Sequence, residues 1–218
     1  MINKIKVLNL FAGIGGNIAK LDRNKYDITS VEFDKEIASA YKNRFPHDKI
    51  IICDAYQFLL EHFKEYDFIW ASPPCQSHNR TKYSRSQEKP YYIDMGLYQI
   101  ILFLQCWCKN KKWCVENVFP YYEPLIQPSY ILERHYLWTN FIVNVRNRKS
   151  CQKIEKSTIS MLLKYHNVND NIFKKLSIDS IKKRQVLRNC CSSWFSEIIE
   201  NCYEREKNEK HFQLSLDI

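Results

Sequence analysis

Glycine is scarce in this chain, with four residues among 218, and three of them sit at Gly13, Gly15 and Gly16. The spacing Gly-x-Gly-x-x-Gly is missing, which removes the usual dinucleotide-binding fingerprint. Long apolar runs are also missing. The longest candidate, Ile100 to Cys108, is interrupted by Gln105 and suits a buried helix rather than a membrane span. Paired Cys-x-x-Cys spacings do not occur, and the nine cysteines are odd in number and irregularly placed. That pattern excludes an ordinary disulfide framework and reads as reduced thiols, as expected for a cytoplasmic protein. Cys106, Cys108, Cys114 and the Cys190–Cys191 pair fit apolar packing, so no metal is expected. Met1 to Lys6 leads directly into a strand-like run, leaving no visible secretory signal. There is no internal repeat and no low-complexity tract.

Apolar residues make up 45% of the chain, enough for one domain with a real core and a small appendage. The net charge is +9. Residues 143–188 contain twelve Lys and Arg against Glu155, Asp170 and Asp179, a balance of twelve minus three, so this stretch accounts for the whole excess. It reads either as a solvated surface or as a face that contacts phosphates.

The first 120 residues alternate strand and helix signals. Strand-like runs are Ile5–Leu10, Ile28–Phe33, Lys49–Cys53 (short and buried), Asp67–Ala71 and Trp113–Val115. Helical runs open at Gly16–Leu21 and follow at Lys35–Phe45, Tyr56–Phe63 and Leu97–Cys108. This alternation predicts an α/β fold, a mostly parallel, doubly wound, Rossmann-like sheet with helices on both faces. Ligands of such sheets sit beyond the carboxyl ends of the strands. His135–Val145 is β-rich, Ile159–Tyr165 is a short helical candidate, and Gln185–Tyr203 regains helical periodicity. The expected organisation is a core over 1–142, a short basic segment over 143–184, a closing helix over 185–205 and a charged tail over 206–218.

Each strand of the first half ends in a residue with chemistry to offer. Phe11-Ala12-Gly13-Ile14-Gly15-Gly16 follows a strand and opens a predicted helix, a setting in which a ligand can approach the backbone and an anionic group is favoured. Tight packing explains such a turn equally well. Glu32 suits ribose hydroxyls, Phe33 offers a ring to stack on an adenine, and Asp54, followed by Ala55, suits an exocyclic amine. Each acid alone reads as a solvated loop residue, but three ligand-like residues at three successive strand ends favour an adenosine-containing cofactor. In Ser72-Pro73-Pro74-Cys75-Gln76, two prolines stiffen the turn that carries a thiol. A buried free Cys is the bland reading. Glu116-Asn117-Val118 ends the next strand, and a nucleophile beside a carboxyl acid suits attack on an electron-poor ring.

Phe11 to Gly16, Glu32-Phe33, Asp54, Pro73 to Gln76 and Glu116 to Val118 together resemble, in order and spacing, the motifs of cytosine-5 DNA methyltransferases. Gln185 to Cys190 is similar to the family's final motif. The resemblance implies a cofactor, S-adenosylmethionine, held by Phe11, Ala12, Gly13, Ile14, Gly15, Gly16, Glu32, Phe33, Asp54, Ala55, Pro73 and Asn189. It implies a flipped-out cytosine, Cys75 as a thiolate attacking carbon 6, and Glu116 holding N3 and the exocyclic amine. Pro74 shapes the loop, Asn117 braces it, and Arg134 matches an arginine beside the base. Ser77 to Tyr92 corresponds to a mobile loop that closes over DNA. Double-stranded DNA is the implied partner, in a prokaryotic or phage-like cytoplasmic setting such as restriction–modification.

This sequence departs from the family in two places. Tyr136 stands where a second arginine is expected, with its hydroxyl, His135 or Arg134 as replacement contacts to the base. The long target-recognition region is replaced by about 45 residues between Val143 and Arg188. Either that short segment reads DNA alone or a separate subunit supplies recognition. Two further readings stay open: a non-catalytic or partner-dependent subunit of a modification or defence assembly, and the same chemistry on tRNA.

Overall fold

A computed structural model describes residues 3–85, 90–144 and 157–204. In chain order the elements are β1 (Ile5–Leu10), β2 (Tyr26–Glu32), α1 (Lys35–Arg44), β3 (Lys49–Ile52), α2 (Ala55–His62), β4 (Phe68–Ala71), α3 (Arg80–Arg85) and α4 (Gly96–Trp107). There follow β5 (Lys112–Val118), β6 (Tyr130–Leu132), β7 (His135–Thr139), α5 (Ile159–Tyr165), α6 (Ser180–Asn189) and a helix α7 over 196–204. The strands form one sheet in the order β3-β2-β1-β4-β5-β7-β6. The first five are parallel, whereas β7 runs antiparallel to both β5 and β6. The fold is therefore the mostly parallel α/β sheet that the sequence predicts.

Apolar side chains cover both faces, which keeps parallel strands out of water. On one face Phe58 and Leu59 of α2 and Ile100, Ile101 and Leu104 of α4 pack on Leu8, Ile69 and Val115. On the other, Tyr41 of α1 and Ile198, Ile199 and Cys202 of α7 pack on Val7, Ile28 and Trp70. A smaller cluster joins α1, α5 and α6 through Ala40, Leu162, Val186 and Leu187. Beneath the Gly-rich turn runs a buried polar chain: Asn17 Nδ2 donates to Asn9 Oδ1 (2.8 Å), Asn9 Nδ2 to Ser30 Oγ (3.2 Å), Ser30 Oγ to Tyr41 OH (2.8 Å), and Tyr41 OH to Asp48 Oδ2 (2.9 Å). Arg23 closes it with two bonds to Asp48.

Three expectations about elements are corrected. Residues 16–20 form turns rather than a helix. Ala19 N and Leu21 N bond to carbonyls three residues back, and Arg23 Nη1 captures the carbonyls of Ile18 and Leu21 that a helix would need. β3 lies at the sheet edge, with Lys49 and Ile52 exposed, because among the described residues nothing pairs with its outer side. The periodicity across Gln185–Tyr203 belongs to two helices, separated at Cys190–Phe195 where the chain crosses beneath Gly16. Of the basic segment, residues 145–156, with Arg146, Arg148, Lys149, Lys153 and Lys156, lie outside the described residues, as do Glu88, Lys89 and the tail beyond 204. Among the described residues, no helix is long and apolar enough to cross a membrane.

Candidate active site

The parallel strands deliver their carboxyl ends to one edge of the sheet, and antiparallel β7 brings its amino end there too, with His135 opposite Val118. The geometry at that edge divides into a thiol–carboxylate centre and a Gly-rich turn.

At the centre, Ser72–Gln76 leave β4, and Asn117 Nδ2 donates to Pro73 O at 3.0 Å across the gap from β5. That bond fixes the Pro-Pro turn and the half-buried Cys75 at its end. The Cys75 thiol is pushed up to about 11, first by burial and then by the negative charge of Glu116, while Arg134 and Arg188 act in the opposite direction. The expected bias toward the thiolate is thus reversed here, because desolvation and a neighbouring anion outweigh the two guanidiniums. Glu116 is buried. Its Oε1 lies 2.5 Å from His135 Nδ1, and its Oε2 accepts from Cys191 Sγ at 3.3 Å. Burial works to raise the Glu116 carboxyl, but the charge and hydrogen bond of His135, with hydrogen bonds from Ser72 and Cys191, hold it below its ordinary value. Ser72 Oγ in turn accepts from Trp70 Nε1 at 2.8 Å.

Sequence reasoning offered His135 as a contact to the base; the structure instead commits its Nδ1 to Glu116. Tyr136 does not reach the centre either. Side chains alternate along a strand, and its ring packs on Phe119 and Trp138, on the opposite face from His135. Cys191, read as packing, donates to Glu116. The loop after Cys75 is tied down at its start, since His78 Nδ1 meets Tyr122 OH at 2.5 Å and Arg80 Nε donates to Pro120 O at 3.0 Å. Cys75 opens into a cleft of about 800 Å³ whose far wall includes Arg188 and Asn189 of α6. Asn189, expected at the cofactor, lines the same cleft as Cys75.

At the turn, the three glycines differ. An added Cβ would meet nothing within 4 Å at Gly13, but would strike Tyr41 and Phe45 at Gly15 and the Cys191 carbonyl, 1.9 Å away, at Gly16. Gly15 and Gly16 therefore serve packing, and only Gly13 leaves room for a ligand. Ala12, Ile14 and Ala55 are buried, so their side chains face the core and only their backbone is left for a ligand. No α-helix follows the turn, so the expected helix-terminus anion site is absent from residues 16–20. Glu32 receives Gly13 N–H on Oε2 (2.9 Å) and Asp34 N–H on Oε1 (3.0 Å), pinning the turn to the end of β2. Each carboxylate oxygen keeps a second lone pair for a hydroxyl. The Phe33 ring is 76% exposed beside them, and Phe11 adopts φ 55° and rests edge-on against Tyr56. Asp54 Oδ1 caps α2 through Gln57 N–H, leaving Oδ2 as its oxygen for a ligand. Open backbone at Gly13, two acids and an exposed ring fit the adenosine half of S-adenosylmethionine. Among the described residues, no group of three or more His, Cys, Asp or Glu could hold a metal ion.

This fold is shared with a solved methyltransferase. The structure of Entamoeba histolytica methyltransferase EhMeth superposes with a TM-score of 0.60 over 93% of this chain and 99% of that one, at 13% identity, a likeness of fold. More narrowly, residues 5–97 match the family model of C-5 cytosine-specific DNA methylase. A Spodoptera frugiperda DNMT2 mutant aligns at 26% identity over 53% of this chain and 36% of that one, with a TM-score of 0.39. A putative DNA modification methyltransferase encoded within a prophage (E. coli) aligns at 21% identity over 55% of this chain and 34% of that one, with a TM-score of 0.38. The last two alignments span only about a third of those proteins. No curated protein matches.

Proposed function

We propose that this chain methylates carbon 5 of cytosine in double-stranded DNA, with Cys75 as nucleophile and S-adenosylmethionine as donor. The observation that carries this reading is the meeting of a thiol on a braced Pro-Pro turn with a buried carboxylate on the adjacent strand, at the sheet edge that also presents Gly13, Glu32 and Phe33. A duplex buries the target ring, so the cytosine is taken out of the stack into the cleft. Cys75 loses its proton to water in the cleft, and as Sγ bonds to carbon 6 that water returns a proton to N3, which makes carbon 5 nucleophilic. Glu116, oriented by His135, exchanges the Cys191 thiol for the base, and its ionised oxygens accept from the exocyclic amine and from N3 once N3 carries a proton. When bound, the cofactor supplies the electrophilic methyl group. Water in the cleft then takes the carbon 5 proton, the Sγ–carbon 6 bond breaks to free Cys75 as thiolate, and N3 gives up its proton.

A second reading, a chain that works only with a partner, is favoured by one feature. The Glu116 carboxylate is already engaged by His135 and Cys191, and the thiol beside it is held protonated. One assay addresses both readings: transfer of a labelled methyl group to duplex DNA and, separately, to tRNA, by the purified chain and by Cys75→Ser. The proposal expects labelled DNA with the wild type, background with the variant, and retained binding of S-adenosylhomocysteine by both. Activity undiminished in Cys75→Ser sinks the mechanism. Labelling of tRNA in place of DNA moves the substrate, and activity only after adding a host extract supports the partner-dependent reading.

A further inference from the structure

Among the described residues the usual long recognition region has no counterpart, yet one helix of the chain stands over the nucleophile. Helix α6 is capped by Asp179, whose side chain accepts from Lys182 N–H at 2.7 Å. Its residues divide cleanly among three directions. Val186 and Leu187 are buried against Ile14 and Ala40 and fix the helix to the Gly-rich turn and α1. Lys182 reaches to Asp34 (2.9 Å) and Glu36 (2.6 Å), and Lys183 pairs with Asp170, so both charges are neutralised within the protein. Ser180, Ile181, Arg184, Gln185, Arg188 and Asn189 form the third direction, and all six line the cleft that holds Cys75 and Gln76. Their spacing of i, i+1, i+4, i+5, i+8 and i+9 is that of one helical face.

The composition of this face suits one kind of occupant. It carries two guanidiniums four residues apart, two carboxamides four residues apart, and no acid. Arginine pairs bidentately with phosphate or guanine, and Gln or Asn pairs with adenine. Ile181, 78% exposed at the start of the stripe, adds an apolar side chain of the kind that fills the gap beside an unstacked base. The two lysines that could have joined this face are turned to acids elsewhere, so the cations that line the cleft from α6 are the two arginines.

We propose that the Arg184–Gln185–Arg188–Asn189 face of α6 is a DNA-contacting surface that grips the strand flanking the target cytosine and contributes to choice of site. This rests on the proposed function, but its test does not depend on turnover. The full-length chain is titrated into fluorescein-labelled random-sequence duplex DNA at several salt concentrations, read by anisotropy. Arg184→Gln/Arg188→Gln is expected to weaken binding by about tenfold or more and to lower the salt slope by about one for each phosphate that is no longer neutralised. Lys20→Gln, a control on an exposed lysine paired with Glu197, should bind as the wild type does. Melting temperatures report folding. If the double variant does not fold, Gln185→Glu, which places a carboxylate on the stripe, is expected to weaken binding in the same way. Unchanged affinity and salt slope in the folded variants overturn the proposal, as does a wild-type chain that binds duplex RNA but not duplex DNA. Failure of Cys75→Ser to lose methyl transfer would instead overturn the mechanism while leaving the α6 surface standing.

Discussion

At Cys75 the surrounding protein opposes the ionisation that chemistry needs. The thiol lies at about 11, pushed up first by burial and then by Glu116, so the rate of methyl transfer should climb as pH rises from 7 toward 9, and a flat profile would contradict this. For stability the same shift has the opposite consequence. A folded value above the ordinary 9.0 gives stability that is present below pH 9 and lost as pH rises through 11. His166 behaves in the mirror sense. It is buried, neither ring nitrogen has a side-chain partner, and burial followed by Arg44 lowers it to about 4. Its contribution is present above pH 6.5 and lost as pH falls toward 4, so the melting temperature should drop over that window, and His166→Phe should flatten the drop. The Glu116–His135 pair is a third case at this scale. His135→Ala strands a buried carboxylate, and loss of one partner of such a pair costs about 3–5 kcal/mol, measurable by urea unfolding.

Among the elements, the Gly-rich turn and α6 depend on each other. At Gly16 a methyl group would drive into the Cys191 carbonyl, backbone that cannot swing aside. Gly16→Ala is therefore expected to cost about 2–3 kcal/mol, as overpacking of a tight contact does. Gly13→Ala meets open space and suffers only the left-handed backbone at φ 54°, about 1–2 kcal/mol. Calorimetry should rank the two in that order, with Gly13→Ala showing the larger loss in S-adenosylhomocysteine affinity relative to its loss of stability. From the sequence the three glycines look alike, because the local pattern records that a turn needs freedom and not what lies above it. The same limit explains β3. A run of Ile50, Ile51 and Ile52 reads as buried, but whether a strand is central or at the edge depends on which neighbours pair with it.

For the whole molecule, the sheet is closed on its second face by α7. Ile198 and Ile199 are buried against β1 and β4 together with Trp194 and Phe195. A chain ending at 195 should lose its cooperative unfolding transition and bind an apolar dye such as ANS, because a face of the parallel sheet would stand open to water. A sharp transition in that truncation would show that α7 is dispensable.

The sequence by itself determined the alternation of strands and helices, the parallel order it implies, and the convergence of Gly13, Glu32, Asp54, Cys75 and Glu116 on one edge. These follow from local periodicity and from the rule that ligands of such sheets gather at strand ends. Tertiary structure alone decided that His135, 19 residues away, and Cys191, 75 residues away, occupy the two oxygens of Glu116. It also decided that Tyr136 turns to the other face, and that α6 lays its arginine and carboxamide stripe over Cys75. Such contacts join segments distant along the chain. They leave no period or spacing in the sequence, and they arise only when helices and strands dock and each buried polar group takes the nearest partner the packing provides.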